Sequence, residues 1–315
     1  MTAPVTRGRA LLAGAALAAF PLAARAQSLI PIDAGGVPED GMTPALYAQD
    51  AGILRAHGLD VHFAAQRSGS ATTAAVIGGA YALGKASVMS LINAHVHGVP
   101  LVLIFPGGVY KSGSTHSGMI VRSDSPIRTG ADVNGKLVAV SALNDLYTIG
   151  AYAWVDAHGG DWTSLKLLEI PISAIAEAVV SGRVDVGNLT DPFYTSALDT
   201  KKVRLLADTD AAIAPQFALT AWFSTRDYVR ANPGIVRAFR AALHEAAIYA
   251  NDHHAQTVDA IAKFSGQDPS VVARMNRMAY GTELDPKLIQ PLIDDAAKFK
   301  VIPAAFDARD FIATS

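Results

Sequence analysis

Three groups of residues have types and spacings that could do chemistry. The first is Ser68-Gly69-Ser70, preceded by Arg67. A small turn that opens a helix can present backbone N–H groups to an anion, and glycine lets a ligand approach the backbone closely; the same tripeptide also serves as an ordinary helix cap. Arg67 could pair with a carboxylate or sulfonate, or stay solvated. The second group is acidic: Asp33, Asp145 and Asp191, each near a strand-to-helix junction. Asp145 at a helix start is most simply a cap. It also places negative charge where a bare oxyanion would want donors. Set against Arg67, Lys111 and His116, three carboxylates favour a neutral or amino-bearing heteroaromatic. The third group is Tyr47, Tyr110, Tyr147, Tyr194 and Trp222, which either pack in a core or offer faces to a flat ligand.

Catalysis finds little support. The chain has no cysteine, which removes thiolate nucleophiles, disulfides and cysteine-ligated metals. It has no Gly-x-Ser-x-Gly elbow and no phosphate loop ending in Gly-Lys-Ser/Thr. Ser68, His116 and Asp145 could be assembled into a triad only on paper. His95-Val-His97 falls in a helical stretch, where residues two apart diverge, and His253-His254 has no carboxylate at ligand spacing. The expectation is no catalytic residue, no metal and no cofactor.

The elements that must position these groups alternate. Leu29–Ile32 reads as a strand, Thr43-Pro44 opens a helix ending at Gly58, and Leu59–Phe63 alternates apolar and polar. A helix from Ser68 to Gly78, a strand at Ala86–Met89, a helix over Leu91–Gly98 and a strand at Leu101–Phe105 complete one α/β unit. A second begins at Gly118–Arg122, with strands at Lys136–Val140, Leu165–Ile170 and Val184–Val186 and helices near Asp145–His158 and Ser173–Ser181. Gly79–Gly84 and Gly182–Gly187 echo each other, each ending a helix with glycine before a strand. Beyond Phe217–Phe223 the chain reads as almost all helix, over Arg226–Ala231, Gly234–Asn251, Ala255–Phe264, Pro269–Tyr280 and Pro286–Phe299, with no sheet of its own. Those amphipathic helices must dock on an earlier unit. A mostly parallel sheet flanked by helices is expected in each unit. Ligands of such sheets lie beyond the carboxyl ends of the strands, which selects loops at Asp33-Ala-Gly35-Gly36, Arg67–Ser70, Ser87–Ser90, Pro106–Tyr110, Ser141–Asn144–Asp145 with Tyr147, and Asn188–Asp191 with Tyr194.

Of 315 residues, 50% are apolar and 17% charged, so two folded domains are expected and disorder is not. The 28 acids against 26 Lys plus Arg leave −2, which removes the electrostatic case for nucleic acid. Residues 1–26 run from Arg7 and Arg9 through Ala10–Phe20 to Ala24-Arg25-Ala26, the pattern of an export signal. Removing its three arginines leaves 23 bases against the 28 acids.

Several short stretches, in order, resemble the periplasmic substrate-binding proteins of ABC importers in the nitrate, sulfonate and taurine, and thiamin-pyrimidine-precursor group. They are Ala48–Leu54 before Gly58-Leu-Asp-Val61, Ser68-Gly69, Gly79–Gly84, Gly98-Val-Pro100, Ser125-Pro-Ile127, Asp132–Lys136, Gly182-Arg-Val-Asp185 and Asp191-Pro192. Ala82 stands where the family has aspartate, and Asp185 keeps it. The resemblance implies an α/β, type II-like fold of two lobes, 27–117 plus 221–315 and 118–220, with a ligand cleft between them. It implies a periplasmic monomer that closes on a small molecule and delivers it to an inner-membrane permease. A pyrimidine-like ligand is favoured, with aromatic carboxylates or sulfonates, a sensor role, or a lyase or hydrolase on the same fold as alternatives. The candidate binding residues are Asp33, Gly35, Gly36, Tyr47, Arg67, Ser68, Gly69, Ser70, Ser87, Ser90, Tyr110, Asn144, Asp145, Tyr147, Asn188, Asp191, Tyr194 and Trp222.

Overall fold

Backbone pairing sorts thirteen strands into three sheets in the computed structural model, which describes residues 1–2 and 28–313. The export signal expected over residues 1–26 lies outside the described residues, apart from Met1 and Thr2. In chain order the strands are β1 (Ile30–Gly36), β2 (Leu59–Ala65), β3 (Leu83–Ser87), β4 (Leu101–Pro106), β5 (Gly108–Lys111), β6 (Ser117–Arg122) and β7 (Leu137–Val140). They continue as β8 (Lys166–Glu169), β9 (Val186–Thr190), β10 (Val203–Ala207), β11 (Gln216–Ala218), β12 (Thr220–Thr225) and β13 (Ala279–Tyr280).

The first large sheet has the order β2-β1-β3-β12-β4, and the second, read from its far edge, β8-β7-β9-β6-β10. In each, four strands run one way and a fifth runs against them: β12 in the first, β6 in the second. The two sheets share one strand order and one pattern of directions, with the opposed strand last in chain order in the first sheet and first in the second. The glycine echo falls at equivalent places, since Gly79 and Gly182, both left-handed, precede β3 and β9, the central strands of the two sheets.

Between the large sheets, β5 leads into the second and β11 returns from it. These two strands pair antiparallel, with β13 on the other side of β5. The helical tail is therefore not purely helical. The helix expected over Pro269–Tyr280 stops at Arg274, and Ala279–Tyr280 adds a strand against Gly108–Val109.

Helices start where the side chains supply caps. Ser68 accepts from Ala71 N ahead of the helix Gly69–Ile77, Ser87 from Ser90 N ahead of Val88–Val96, and Asp145 from Leu146 N ahead of Leu146–Ala157. Each satisfies one N–H that the first helical turn leaves without an intrahelical partner. The long helix Pro233–Asp252 buries Val236, Phe239, Leu243 and Ala246 on one face, against Leu59, Val61 and Trp222 of the first sheet. A second apolar cluster crosses between the units: Val88, Leu91 and Ile92 meet Leu146, Tyr147 and Ile149, with Leu292 and Ile293 of the helix Gln290–Lys298 joining both. No helix among the described residues is long and apolar enough to cross a membrane.

Candidate functional site

The carboxyl-terminal ends of strands from both sheets converge on one narrow cleft, which encloses about 620 Å3 of space between atoms, its open mouth included. The first sheet contributes Val37 and Glu39 after β1, Arg67, Ser68 and Gly69 after β2, and Ser87 at the end of β3. The second contributes Ser141, Asp145 and Tyr147 after β7, Thr190 at the end of β9 and Asp210 after β10. His116 and Ser117, Leu219 and Thr220, and Met278 come from segments beside the central three-stranded sheet.

Six of the candidate residues line this cleft: Arg67, Ser68, Gly69, Ser87, Asp145 and Tyr147. Gly69 packs against Ser90: a Cβ there would lie 2.7 Å from Ser90 Oγ. Ser90 thus supports the turn from below, and Ser70 is exposed, its hydroxyl 2.9 Å from that of Ser68.

The others lie elsewhere. Asp33, Gly35 and Gly36 belong to β1 and not to a loop, because that strand runs four residues further than the apolar pattern suggests. Asp33 points outward, 3.6 Å from His62 Nδ1, and the two glycines make room for Tyr81 and Met42. Tyr47 stacks on Tyr249 at 4.5 Å. Trp222 is buried between Phe63 and Phe239, with ring centroids 5.7 and 5.1 Å away. Tyr110 is a β5 residue whose hydroxyl donates to Asp208; burial and that carboxylate push its pKa up to about 12. Tyr194 packs among Ile175 and Val179. Asn188 lies inside β9 and donates to the Tyr147 carbonyl at 2.9 Å. Asn144 is exposed in a left-handed conformation, and its carbonyl accepts from Asn93. Asp191 accepts from Thr195 N at 2.8 Å, and burial raises its pKa to about 7. Lys111 is exposed.

The aromatic wall expected from five rings reduces to Tyr147, because the other four face apolar cores. The acidic character survives with different members. Glu39, Asp145 and Asp210 line the cleft, and Asp33 and Asp191 do not. Each of the three has a distinct environment. Glu39 pairs with Lys85, which is wholly buried in β3. Asp145 accepts from Leu146 N at 2.7 Å and from the Ser87 hydroxyl, so its oxygen joins a cap in one unit to a cap in the other. Burial pushes its pKa upward against those hydrogen bonds. Asp210 accepts on Oδ2 from Ser117, and its pKa is also raised by burial, with His116 opposing the shift.

Glu39 and Asp210 escaped the reading of the sequence for traceable reasons. Ending the first strand early put its loop at residues 33–36 instead of 37–39. The strand Val203–Ala207 lies outside the elements expected from the apolar pattern, and the loop after it therefore holds no expected site residue. The signal was present in Val203-Arg-Leu-Leu followed by Asp208-Thr-Asp210, a β-rich run before a polar turn.

Comparison with known proteins gives the same architecture. The alkanesulfonate-binding protein from Xanthomonas axonopodis pv. citri, bound to MOPS, superimposes with a TM-score of 0.75 at 20% identity, covering 90% of this chain and 98% of that one. The periplasmic nitrate-binding protein from Synechocystis PCC 6803 gives 0.75 at 14% identity, with 90% and 84% covered. An Escherichia coli (strain K12) protein named for binding aliphatic sulfonates is 27% identical over 220 residues, 70% of this chain; the match spans 65% of that protein's length. The fold is that of two-lobed periplasmic binding proteins. The family model described as NMT1/THI5 like matches residues 40–257, and the chain therefore belongs to the NMT1/THI5-like family.

Proposed function

We propose that this protein is the periplasmic solute-binding component of an ABC import system, capturing a small organic ligand without chemical change and presenting it to an inner-membrane permease. The observation that carries the reading is the cleft itself. It is walled by strand ends from two sheets of matching strand order, and the hydrogen bond from Ser87 to Asp145 spans it. The lobes would be residues 27–117 with 221–315, and 118–220. The paired strands β5 and β11 would be the hinge, since a two-stranded connection allows rotation of one lobe against the other while keeping its own backbone hydrogen bonds.

The ligand class best supported is a small organic acid, sulfonate or carboxylate. Arg67, Ser68 and Gly69 form an acceptor-binding corner at a helix start, and the named relatives bind sulfonates or nitrate. The pyrimidine-like alternative keeps Tyr147 as its one cleft aromatic. The test is mass spectrometry of small molecules released on denaturing the freshly purified protein, followed by melting-temperature shifts with the compounds found. One stoichiometric small molecule that stabilises the protein and is recovered unaltered is the expected result. Turnover of that molecule would sink the binding reading.

A further inference from the structure

The three cleft carboxylates differ in how completely they are satisfied. Glu39 has the Lys85 ammonium, and Asp145 has a backbone N–H and a hydroxyl. Asp210 is 1% exposed; its Oδ2 accepts from Ser117 and lies 3.6 Å from His116 Nε2. Its Oδ1 has no hydrogen-bond partner among the described residues, and of the cleft-lining side chains it alone has such a buried, unpartnered atom. A carboxylate oxygen taken from water and left unpaired costs free energy that a bound donor would recover. The His116 Nδ1 lies 3.0 Å from the Ser114 carbonyl, which fixes the proton on Nδ1 and turns Nε2 toward Asp210. Oδ1 is left as an acceptor, so the demand is for a donor.

We propose that the ligand of this cleft is two-ended: an acidic group seated on Arg67, Ser68 and Gly69, and an N–H donor, an amine or ring nitrogen, seated on Asp210 Oδ1. This rests on the reading of the cleft as a ligand site and adds a selectivity that the acidic corner alone cannot supply. Asp210 is then a specificity-determining residue. It favours ligands that carry the donor, because only they pair an oxygen that is already buried without a partner.

Matched probes test this on the full mature chain by calorimetry: benzenesulfonate against 3-aminobenzenesulfonate, and ethanesulfonate against 2-aminoethanesulfonate. The amino member of at least one pair should bind tenfold or more tightly. Asp210→Leu, which removes the acceptor that an asparagine would keep, should bring that preference below threefold. The native preference tests the proposal without a variant, in case Asp210→Leu fails to fold. Equal binding within both pairs, or a preference that survives Asp210→Leu, overturns the Asp210 assignment and leaves the binding reading standing. If no sulfonate binds, the molecule released on denaturation decides: one lacking an N–H donor overturns the assignment. No released molecule and no binding overturns both readings.

Discussion

Asp40 and Asp210 are both buried carboxylates, one in the wall of the first lobe and one in the cleft. Every lone pair that matters on Asp40 is used. Its Oδ1 accepts from Thr43, Arg277 Nε and the Tyr280 hydroxyl at 2.8 to 3.0 Å, and its Oδ2 from Met278 N at 3.0 Å. That network ties the segment before β13 to the turn after β1, and so holds Met278 in the cleft wall. Asp210 has two neighbours on one oxygen and none on the other. Burial with complete pairing marks a carboxylate that holds the fold together; burial with an unpartnered oxygen beside a cleft marks one that awaits a ligand.

Asp40→Ala should produce the largest effect, about 3 to 5 kcal/mol of lost stability, because Arg277 is stranded as a buried charge. Denaturant unfolding measures it, and a loss under 1 kcal/mol would break the comparison at its structural end. Asp210→Leu should cost less stability and act on ligand preference instead.

Asp191 sharpens the contrast, because it too is buried with one unpartnered oxygen, yet it does not line the cleft. With no ligand to answer it, it answers by keeping its proton, and its pKa rises to about 7 through burial. The folded protein then binds a proton that the unfolded chain has released. Stability from this group is fully present below about pH 4 and is lost as pH rises through about 7, on the order of 4 kcal/mol at 1.36 kcal/mol per pH unit. Asp191→Asn should flatten the fall in melting temperature over that window; an unchanged pH profile would show that Asp191 ionises normally.

Asp145 sits between the two extremes, satisfied by both lobes. Asp145→Ala should cost about 1 to 2 kcal/mol as a lost cap and lower ligand affinity by weakening closure, whereas Asp145→Asn should keep most of the cap. Equal ligand affinity in native and Asp145→Ala proteins would deny the cross-lobe bond any part in closure. The smallest effect belongs to Asp185, whose Oδ2 accepts from Leu137 N at 2.9 Å on the surface of the second sheet. At the equivalent place Ala82 has no side-chain acceptor; its backbone N–H donates to the Asp33 carbonyl, and its own carbonyl accepts from the Ser224 hydroxyl. Asp185→Ala should cost about 0.5 kcal/mol and leave ligand affinity unchanged, as expected of a strand tether far from the cleft.

Much of this molecule was legible from residues a few places apart. The caps at Ser68, Ser87 and Asp145, the alternation of strand and helix, the helical tail and the glycine echo all rest on local rules of backbone satisfaction and periodicity. The loops at Arg67–Gly69 and Asp145–Tyr147 are legible because each directly follows a strand of clear apolar pattern. Tertiary structure alone decided which polar groups share the cleft. Asp33 and Glu39 are six residues apart, yet one faces solvent and the other the ligand space, because extending β1 by four residues moves the loop. Tyr47, Tyr194 and Trp222 carry the same chemistry as Tyr147, and what separates them is which face of an element the neighbouring sheet covers. That choice depends on pairing between strands more than a hundred residues apart, such as β3 with β12, and no local pattern encodes it.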